Sequence, residues 1–479
     1  MRDLRWRFAI GVFALLLIHG ATIGLTDDEA YYWVLAQKPA WGYAFHPPMV
    51  AWFIALFQGL LGWLAGTHSV WLVRLPGALS VAAIVWLALD WVKAAAGRVT
   101  PAAGWVVLSF AGFFSLSWMM VPDLPLFLGW MLAFRATWEL CEGRGRAGSL
   151  ALLFAGAAMA MLSKYSGILV VVSSAACLLF WSRSKLHGFL ALALALAVAA
   201  APILAWNSAH GWGSLLYQLS ERHGGGLSLS RFARFWVLEL VLAGPAAIFF
   251  SVALFFDHAN FPPRVLAAWI FPAALVFCAQ PLFGDFKPHW AFVVWWPAFL
   301  GLAWSEASGG IATRLRPFAA IGLALGALVL VACHLPLVGG ALRLARGEAG
   351  DPRWDVTNDL YGWSELRAFV RDKAEAQGLP VVGSRYQTAA QAAFALGGDA
   401  AFTLLPRDLK ARDEWPALPI SDGYGPDWPK LRESILYVAD NRYEDGPGYP
   451  GARCAKLGAL EALRLGMLAK RIDLWRCDP

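Results

Sequence analysis

Charge is what this sequence has least of. Asp, Glu, Lys and Arg make up 15% of its 479 residues, against roughly 25% in soluble domains. Hydrophobic residues reach 59%, where soluble chains hold about 45–50%. So few charges cannot cover a chain of this length in water, which excludes a string of soluble domains of ~150 residues each. Cysteine is scarce too. The six cysteines are too scattered for a disulfide scaffold, and Cys141, Cys177, Cys278 and Cys333 lie in or beside apolar runs as small hydrophobes. There is no phosphate-cradling glycine loop, no Gly-rich dinucleotide turn and no His/Cys spacing suited to zinc. No basic stretch interleaved with aromatics stands apart, so the net charge of +6 carries no nucleic-acid signal. Internal repeats and low-complexity tails are also lacking.

What the chain has instead is long apolar runs. A helix needs about 20 residues to cross a ~30 Å hydrocarbon core. Runs fall at 8–25, 70–89, 102–119, 124–140, 149–163, 167–181, 187–206, 235–256, 265–283, 290–304 and 316–338. They predict a polytopic α-helical membrane protein of about eleven or more spans. The 26 Trp and 27 Pro fit helix ends at the interface and breaks within the bilayer. The first run follows Arg2, Arg5 and Arg7; it is longer than a usual signal-peptide core and lacks a small-x-small cleavage site, so it reads as an uncleaved helix starting in the cytoplasm.

Alternating sides from that start puts Lys93, Arg98, Arg144, Arg146, Arg183, Lys185, Arg264, Arg314 and Arg316 in cytoplasmic loops. The outer loops, longer in total, carry chiefly Lys38, Lys164, Arg222, Arg231, Arg234 and Lys287, as the positive-inside rule expects. From about residue 340 the chain becomes charged and globular in pattern, giving a division into a membrane part, 1–340, and a small α/β domain, 341–479, on the outer side. Within the latter the patterning predicts helices at 364–377 and 387–396, strands at 380–384, 401–405 and 434–439, and two strand arms around Gly466. Cys454 and Cys477 flank those arms; an oxidising compartment and strands that fold back predict a disulfide between them.

With sidedness set, the unusual polar residues gather on the outer face: Asp27, Asp28, Glu29 and His46 after the first run, Asp123, Lys164 between two short apolar segments, and Asp285, Lys287 and His289. Consecutive carboxylates beside an apolar helix end repel each other and resist desolvation, which raises a carboxyl pKa toward that of a usable base. The aromatics Tyr31, Tyr32, Trp33, Trp41 and Tyr43, then an HPP turn and an apolar segment, suggest helices lying along the interface. The plainer alternative is a solvated acidic loop with an aromatic belt.

These residues carry a resemblance. Asp28-Glu29-Ala30-Tyr31-Tyr32-Trp33, followed by Trp41-Gly42-Tyr43 and His46-Pro47-Pro48-Met49, is similar to the first outer loop of bacterial GT-C glycosyltransferases. These are the family 39-like proteins related to protein O-mannosyltransferases and to the aminoarabinose transferase of lipid A. In order along the chain, Val121-Pro122-Asp123-Leu124-Pro125-Leu126, Ser163-Lys164-Tyr165, Lys287-Pro288-His289-Trp290, Leu360-Tyr361-Gly362-Trp363 and Tyr386-Gln387-Thr388-Ala389-Ala390 resemble further family segments. His289 stands where the family has Asn, and Leu409-Lys410-Ala411-Arg412-Asp413-Glu414-Trp415 departs from the family's C-terminal pattern.

The resemblance implies an enzyme that takes a sugar from a polyprenyl phosphate in the outer leaflet and transfers it, usually with inversion, to an acceptor there: lipid A or lipopolysaccharide, another glycan, or a protein. Asp28 would be the base, Glu29 would orient it or the acceptor, and Asp123 would be a second acid of the site. Asp27 is left as either a third site acid or a spare loop charge. An anionic leaving group calls for cations, so Lys164 is the first phosphate candidate, with Lys287, His46, His289 and Arg222 behind it and Tyr32 as a further substrate contact. The run Gly224-Gly225-Gly226 reads as either a flap hinge or a plain connector. Apart from a divalent cation, whose use the sequence leaves open, no cofactor is indicated. Partners are the lipid donor, the acceptor and the bilayer, with no nucleic acid. The competing readings are a transporter or flippase for a lipid-linked sugar, since intramembrane Lys and Asp also mark substrate pathways, and a non-catalytic scaffold.

Overall fold

The first apolar run folds as the helix Leu4–Ala21, and among the described residues four more helices are long and apolar enough to cross a membrane: Val70–Ala96, Lys185–Ala209, Phe261–Leu282 and Ile311–Ala332. The structure is a computed structural model that describes residues 3–43, 45–216, 218, 226–256, 261–373, 378–383, 385–396, 402–404, 434–443, 446–447 and 453–479. A sixth crossing is available from Leu229–Leu242 and Gly244–Phe256, which meet at 103°. Gly244 makes the bend: its φ of +81° lies in the left-handed region, which a side chain resists. Shorter apolar helices cover Met49–Ala65, Ala147–Ser163 and Tyr165–Trp181.

Not every apolar run is one helix. The run at 102–119 becomes Pro101–Leu108 and Ala111–Ser117, separated where Phe110 turns extended (φ −75°, ψ 92°). The run at 316–338 ends at Ala332, and a separate helix, Leu337–Arg346, begins after Pro336. The run at 124–140 is the helix Asp123–Cys141, which carries Asp123, Arg135 and Glu139 as well as its apolar residues.

The chain divides into two compact units. One comprises Met1–Leu17, Phe45–Val50 and Pro76–Val329. Its interior is aromatic: Trp130, Trp138, Trp269, Trp296, Phe110 and Phe134 are all fully buried. Trp91 meets Trp138 edge to face at 5.4 Å, and Phe110 stacks on Phe299 at 4.6 Å. Pairs of this kind add about 0.5–1.5 kcal/mol each beyond the area they bury.

The other unit comprises Ile18–Ala44, Ala51–Leu75 and Leu330–Pro479. It holds a five-stranded sheet of β1 (Val381–Gly383), β2 (Phe402–Leu404), β3 (Ile435–Asp440), β4 (Arg453–Arg464) and β5 (Met467–Asp478) in the order β2-β1-β3-β5-β4. β1 pairs in parallel with β2 and β3, and a parallel neighbour needs a crossover, which the helix Tyr386–Leu396 supplies between β1 and β2. β3 is buried along its whole length, as a central strand covered on both faces must be. Leu436 and Val438 join Trp363, Leu366, Ile472 and Leu474 on one face, while Ile435 and Tyr437 join Val382 and Cys477 on the other. β4 and β5 form the hairpin about Gly466, and the predicted disulfide joins Cys454 to Cys477, which lie directly opposite each other in the ladder.

Candidate functional site

The three consecutive acids that follow the first helix open the helix Asp27–Ala36, and local chemistry fixes where it starts. Thr26 caps it: the Glu29 N–H donates to Thr26 Oγ1 at 3.2 Å, and the Thr26 N–H donates to Glu29 Oε2 at 3.0 Å. This reciprocal pair satisfies two otherwise unpaired donors of the first turn. Glu29 is wholly buried and is held by Arg74, itself 2% exposed. Arg74 Nε donates to Glu29 Oε1 at 2.8 Å and Nη2 to Oε2 at 2.6 Å, a fork-to-fork ion pair. The remaining Arg74 donors reach the carbonyls of Gly20 (2.6 Å), Ile23 (3.1 Å) and Gly24 (2.6 Å). One guanidinium thus ties the end of the first helix to the start of the second.

Asp27 is no spare charge. It accepts from Tyr443 Oη at 2.6 Å, Gln391 Nε2 at 2.9 Å and Arg442 Nη2 at 3.2 Å. Arg442 also binds Asp440 (2.8 Å) and Asp359, and Lys470 lies 3.7 Å from Asp440. Three carboxylates therefore share two cations in a buried network. Burial first, and then the neighbouring Asp27 charge, push the Asp359 carboxyl up to about 7. Burial pushes the Lys470 ammonium down to about 8. Burial followed by the Asp27 charge raises the Tyr443 phenol, so it stays a hydrogen-bond donor.

Asp28, between these two anchored neighbours, keeps partial exposure. It accepts from the Tyr386 hydroxyl at 3.1 Å, and burial together with the Asp28 charge raises the Tyr386 pKa and keeps that proton in place. The first turn thus sorts three identical-looking charges into two that hold the helix and one that solvent still reaches. Tyr32 is buried, its ring 5.6 Å from that of Tyr31.

In the other unit, Asp123 and Lys164 come together. Lys164 Nζ donates to both carboxylate oxygens of Asp123, each at 2.8 Å. Lys164 sits where the helix Ala147–Ser163 stops, in an extended conformation (φ −148°, ψ 151°) before the short turn Tyr165–Gly167. Gly167 permits that turn, because a β-carbon there would stand 2.1 Å from the Ala160 carbonyl oxygen. The pair lies in a cleft of about 330 Å³ shared with His46, Tyr165, Ser166, Gln218, Gln280 and Trp290 and otherwise walled by Leu126, Ile168, Leu169, Val276, Phe277 and Val293. Tyr165 Oη bonds Ser214 Oγ at 2.7 Å, and Gln218 Nε2 donates to the Phe45 carbonyl at 2.9 Å, fixing the polar rim. His289 and His46 are near enough to act on the Asp123 charge.

Of the remaining expected residues, Lys287 is exposed at the start of the turn Pro288–Ala291. Arg222, Gly224, Gly225 and the 409–415 segment lie outside the described residues. Arg231 donates to the carbonyls of Gly226 (2.7 Å) and Pro281 (3.2 Å). Among the described residues, no group of three or more His, Cys, Asp or Glu side chains is arranged to hold a metal ion. Sequence reasoning missed Arg74, Arg442, Tyr443 and Gln391. Arg74 had a signal, a lone cation inside an apolar run; the other three had none, standing hundreds of residues from their partner.

Residues 45–206 match the family described as dolichyl-phosphate-mannose-protein mannosyltransferase. The fold is similar to the crystal structure of ArnT from Cupriavidus metallidurans bound to undecaprenyl phosphate, with a TM-score of 0.64 at 15% sequence identity over 98% of this chain and 97% of that one. No curated protein matches the sequence. The resemblance carried by the motifs is therefore met by the family match over residues 45–206 and by a fold similar to that crystal structure, polytopic and helical with a small sheet at the C-terminus.

Proposed function

We propose that the protein is a glycosyltransferase that takes a hexosyl or pentosyl group from a polyprenyl phosphate and passes it, with inversion, to a lipid, glycan or protein acceptor. In this reading it is a bacterial inner-membrane protein of about eleven spans, with residues 1–340 in the membrane and 341–479 as a periplasmic domain. Lipopolysaccharide is one acceptor class it would serve. The observation that carries the proposal is the cleft: a charged Asp123–Lys164 pair within mainly apolar walls suits an anionic phosphate on an isoprenoid tail. The family match and the fold shared with an undecaprenyl-phosphate-bound protein support the same donor class.

Chemically, the acceptor oxygen attacks the anomeric carbon as the bond from that carbon to the phosphate oxygen breaks, and polyprenyl phosphate leaves with the bonding electrons. Lys164, oriented by Asp123, meets the charge that grows on the phosphate; such fixed charges act most strongly where water is excluded. His46, His289, Lys287 and Arg222 are further phosphate contacts in the proposal, and Tyr32 a sugar contact. Asp28 takes the hydroxyl proton of the acceptor. Glu29 contributes through Arg74 by fixing the helix start from which Asp28 projects.

Mass spectrometry of the lipid that co-purifies with the protein, set against the lipid that accumulates in a deletion strain, identifies the donor. Transfer from that donor should give a product of inverted anomeric configuration by NMR. Retained configuration, or transfer that needs no polyprenyl phosphate, would contradict the proposal.

A further inference from the structure

The C-terminal end of the span Ile311–Ala332 is followed by a helix that packs on the turn Pro352–Trp354 and leaves much of its apolar side open. Leu337–Arg346 has no buried residue; Leu344 is 92% exposed, Val338 is exposed as well, and Arg343 and Arg346 close its last turn. The tip of the β4–β5 hairpin lies at the same place. Arg464 Nη2 donates to the Ala332 carbonyl at 2.9 Å, and Tyr361, under the Arg464 guanidinium at 4.3 Å, donates its hydroxyl to the Cys333 carbonyl at 2.7 Å. These bonds satisfy carbonyls that a helix end leaves open, and they hold the hairpin tip at the end of the span. Leu463 and Leu465, on either side of Arg464, are exposed, as are Trp354 and Val356 in the turn that follows the helix.

Leu465 breaks a local rule. With φ of +48° at Leu465 and +77° at Gly466, both central residues of the hairpin turn are left-handed, a geometry in which Asn, Asp or Gly is favoured at the first position. A leucine there strains the backbone, and with 75% of its surface exposed it recovers little from the protein.

We infer that this surface docks on the lipid bilayer: the hairpin tip and the helix Leu337–Arg346 enter the interface of the leaflet where the span Ile311–Ala332 emerges, with Arg343 and Arg346 on anionic headgroups. The end of the span fixes the depth. Arg464 reaches the Ala332 carbonyl directly, so its leucine neighbours lie within about 10 Å of the span end, and an interfacial helix buries its apolar face by roughly 5–10 Å. Basic residues at the edge of an apolar helix face complete the pattern of a membrane-surface helix. The docked surface would hold the C-terminal sheet at a fixed height over the membrane.

The test uses the full-length protein in nanodiscs of phosphatidylethanolamine and phosphatidylglycerol, spin-labelled at Leu465→Cys, at Leu344→Cys and, as the aqueous control, at Ala459→Cys further down β4. The unsubstituted protein, whose Cys141, Cys177 and Cys333 are buried, gives the labelling background. At positions 465 and 344 the label should collide several-fold more often with oxygen than with a nickel chelate; at position 459 the order should reverse. Replacing Leu465 by Asn should leave the disulfide and the unfolding midpoint intact, since Asn suits the turn, while a label at Leu463→Cys loses part of its oxygen preference. Nickel-accessible labels at both 465 and 344 would overturn the inference. So would protection from both reagents, whether the protein self-associates, which would indicate a second copy on this face, or stays monomeric, which would indicate burial by another partner.

Discussion

Glu29→Gln is the substitution whose cost the geometry sets best. Glu29 and Arg74 are almost wholly removed from solvent and are joined by two parallel hydrogen bonds of 2.8 and 2.6 Å. Glutamine keeps the shape but turns one acceptor into an NH2 group facing guanidinium donors, and it removes the buried negative charge that Arg74 is forked onto. Removing one member of a buried pair typically costs about 3–5 kcal/mol, a large share of a total stability of roughly 5–15 kcal/mol. Arg74→Met should cost at least as much, because it also deprives the carbonyls of Gly20, Ile23 and Gly24 of their donor, and each buried unsatisfied group costs about 1–3 kcal/mol. The double variant should lose less than the sum of the two, since neither charge is then left alone. Reversible unfolding in mixed micelles, followed by tryptophan fluorescence, measures all three. A Glu29→Gln protein as stable as the parent, with strictly additive losses in the double variant, would refute the assignment of this pair as the clamp on the helix that carries Asp28.

Stability should also depend on pH through Asp359. Between the ordinary carboxylate range and about 7 the folded protein holds a proton that the unfolded chain has released, so stability should fall as pH rises through that window and level off above it. Asp359→Asn should remove that slope in a series of unfolding midpoints, with Asp27, Asp440, Arg442 and Lys470 left in place. Reducing the Cys454–Cys477 disulfide, which closes a loop of 23 residues, should cost about 3 kcal/mol, seen as faster hydrogen exchange in β4 and β5; unchanged exchange would remove the disulfide from the account of that sheet's stability. For topology, a reporter fused after Leu342 should be active in the periplasm and one in the 141–148 loop in the cytoplasm.

Much of the C-terminal sheet could be read in advance because its strands obey short-range rules. A short continuous apolar run containing Ile435 and Val438 marked 434–439, and Gly466 marked the turn between the two long arms. The runs at 167–181 and 187–206 became the helices Ile168–Trp181 and Lys185–Ala209 within a residue or three at each end. Hydropathy failed where backbone geometry intervenes. A run at 235–256 looks continuous by composition, and only the left-handed φ of Gly244 turns it into two helices at 103°. Asp123 and Lys164 each stood out as a charge in apolar surroundings, but their pairing across 41 positions needed the fold. The capping box Thr26-Asp27-Asp28-Glu29 is a short-range signature and could have shown that Glu29 holds the helix start. The donors to Asp27, from Gln391, Arg442 and Tyr443, are separated from it by more than 360 residues, and no periodicity connects them.

The central claim, that this protein transfers a sugar from a polyprenyl phosphate with Asp28 as the base, is tested most directly by turnover of the purified protein in proteoliposomes, with the donor identified from its co-purifying lipid and a hydroxyl acceptor. Asp28→Asn should lower turnover by roughly 10²-fold or more, the scale of a lost general base, with the unfolding midpoint preserved. Lys164→Ala should weaken both donor binding and turnover, because its charge meets the phosphate before and during bond breaking. Wild-type turnover in both variants would contradict the account.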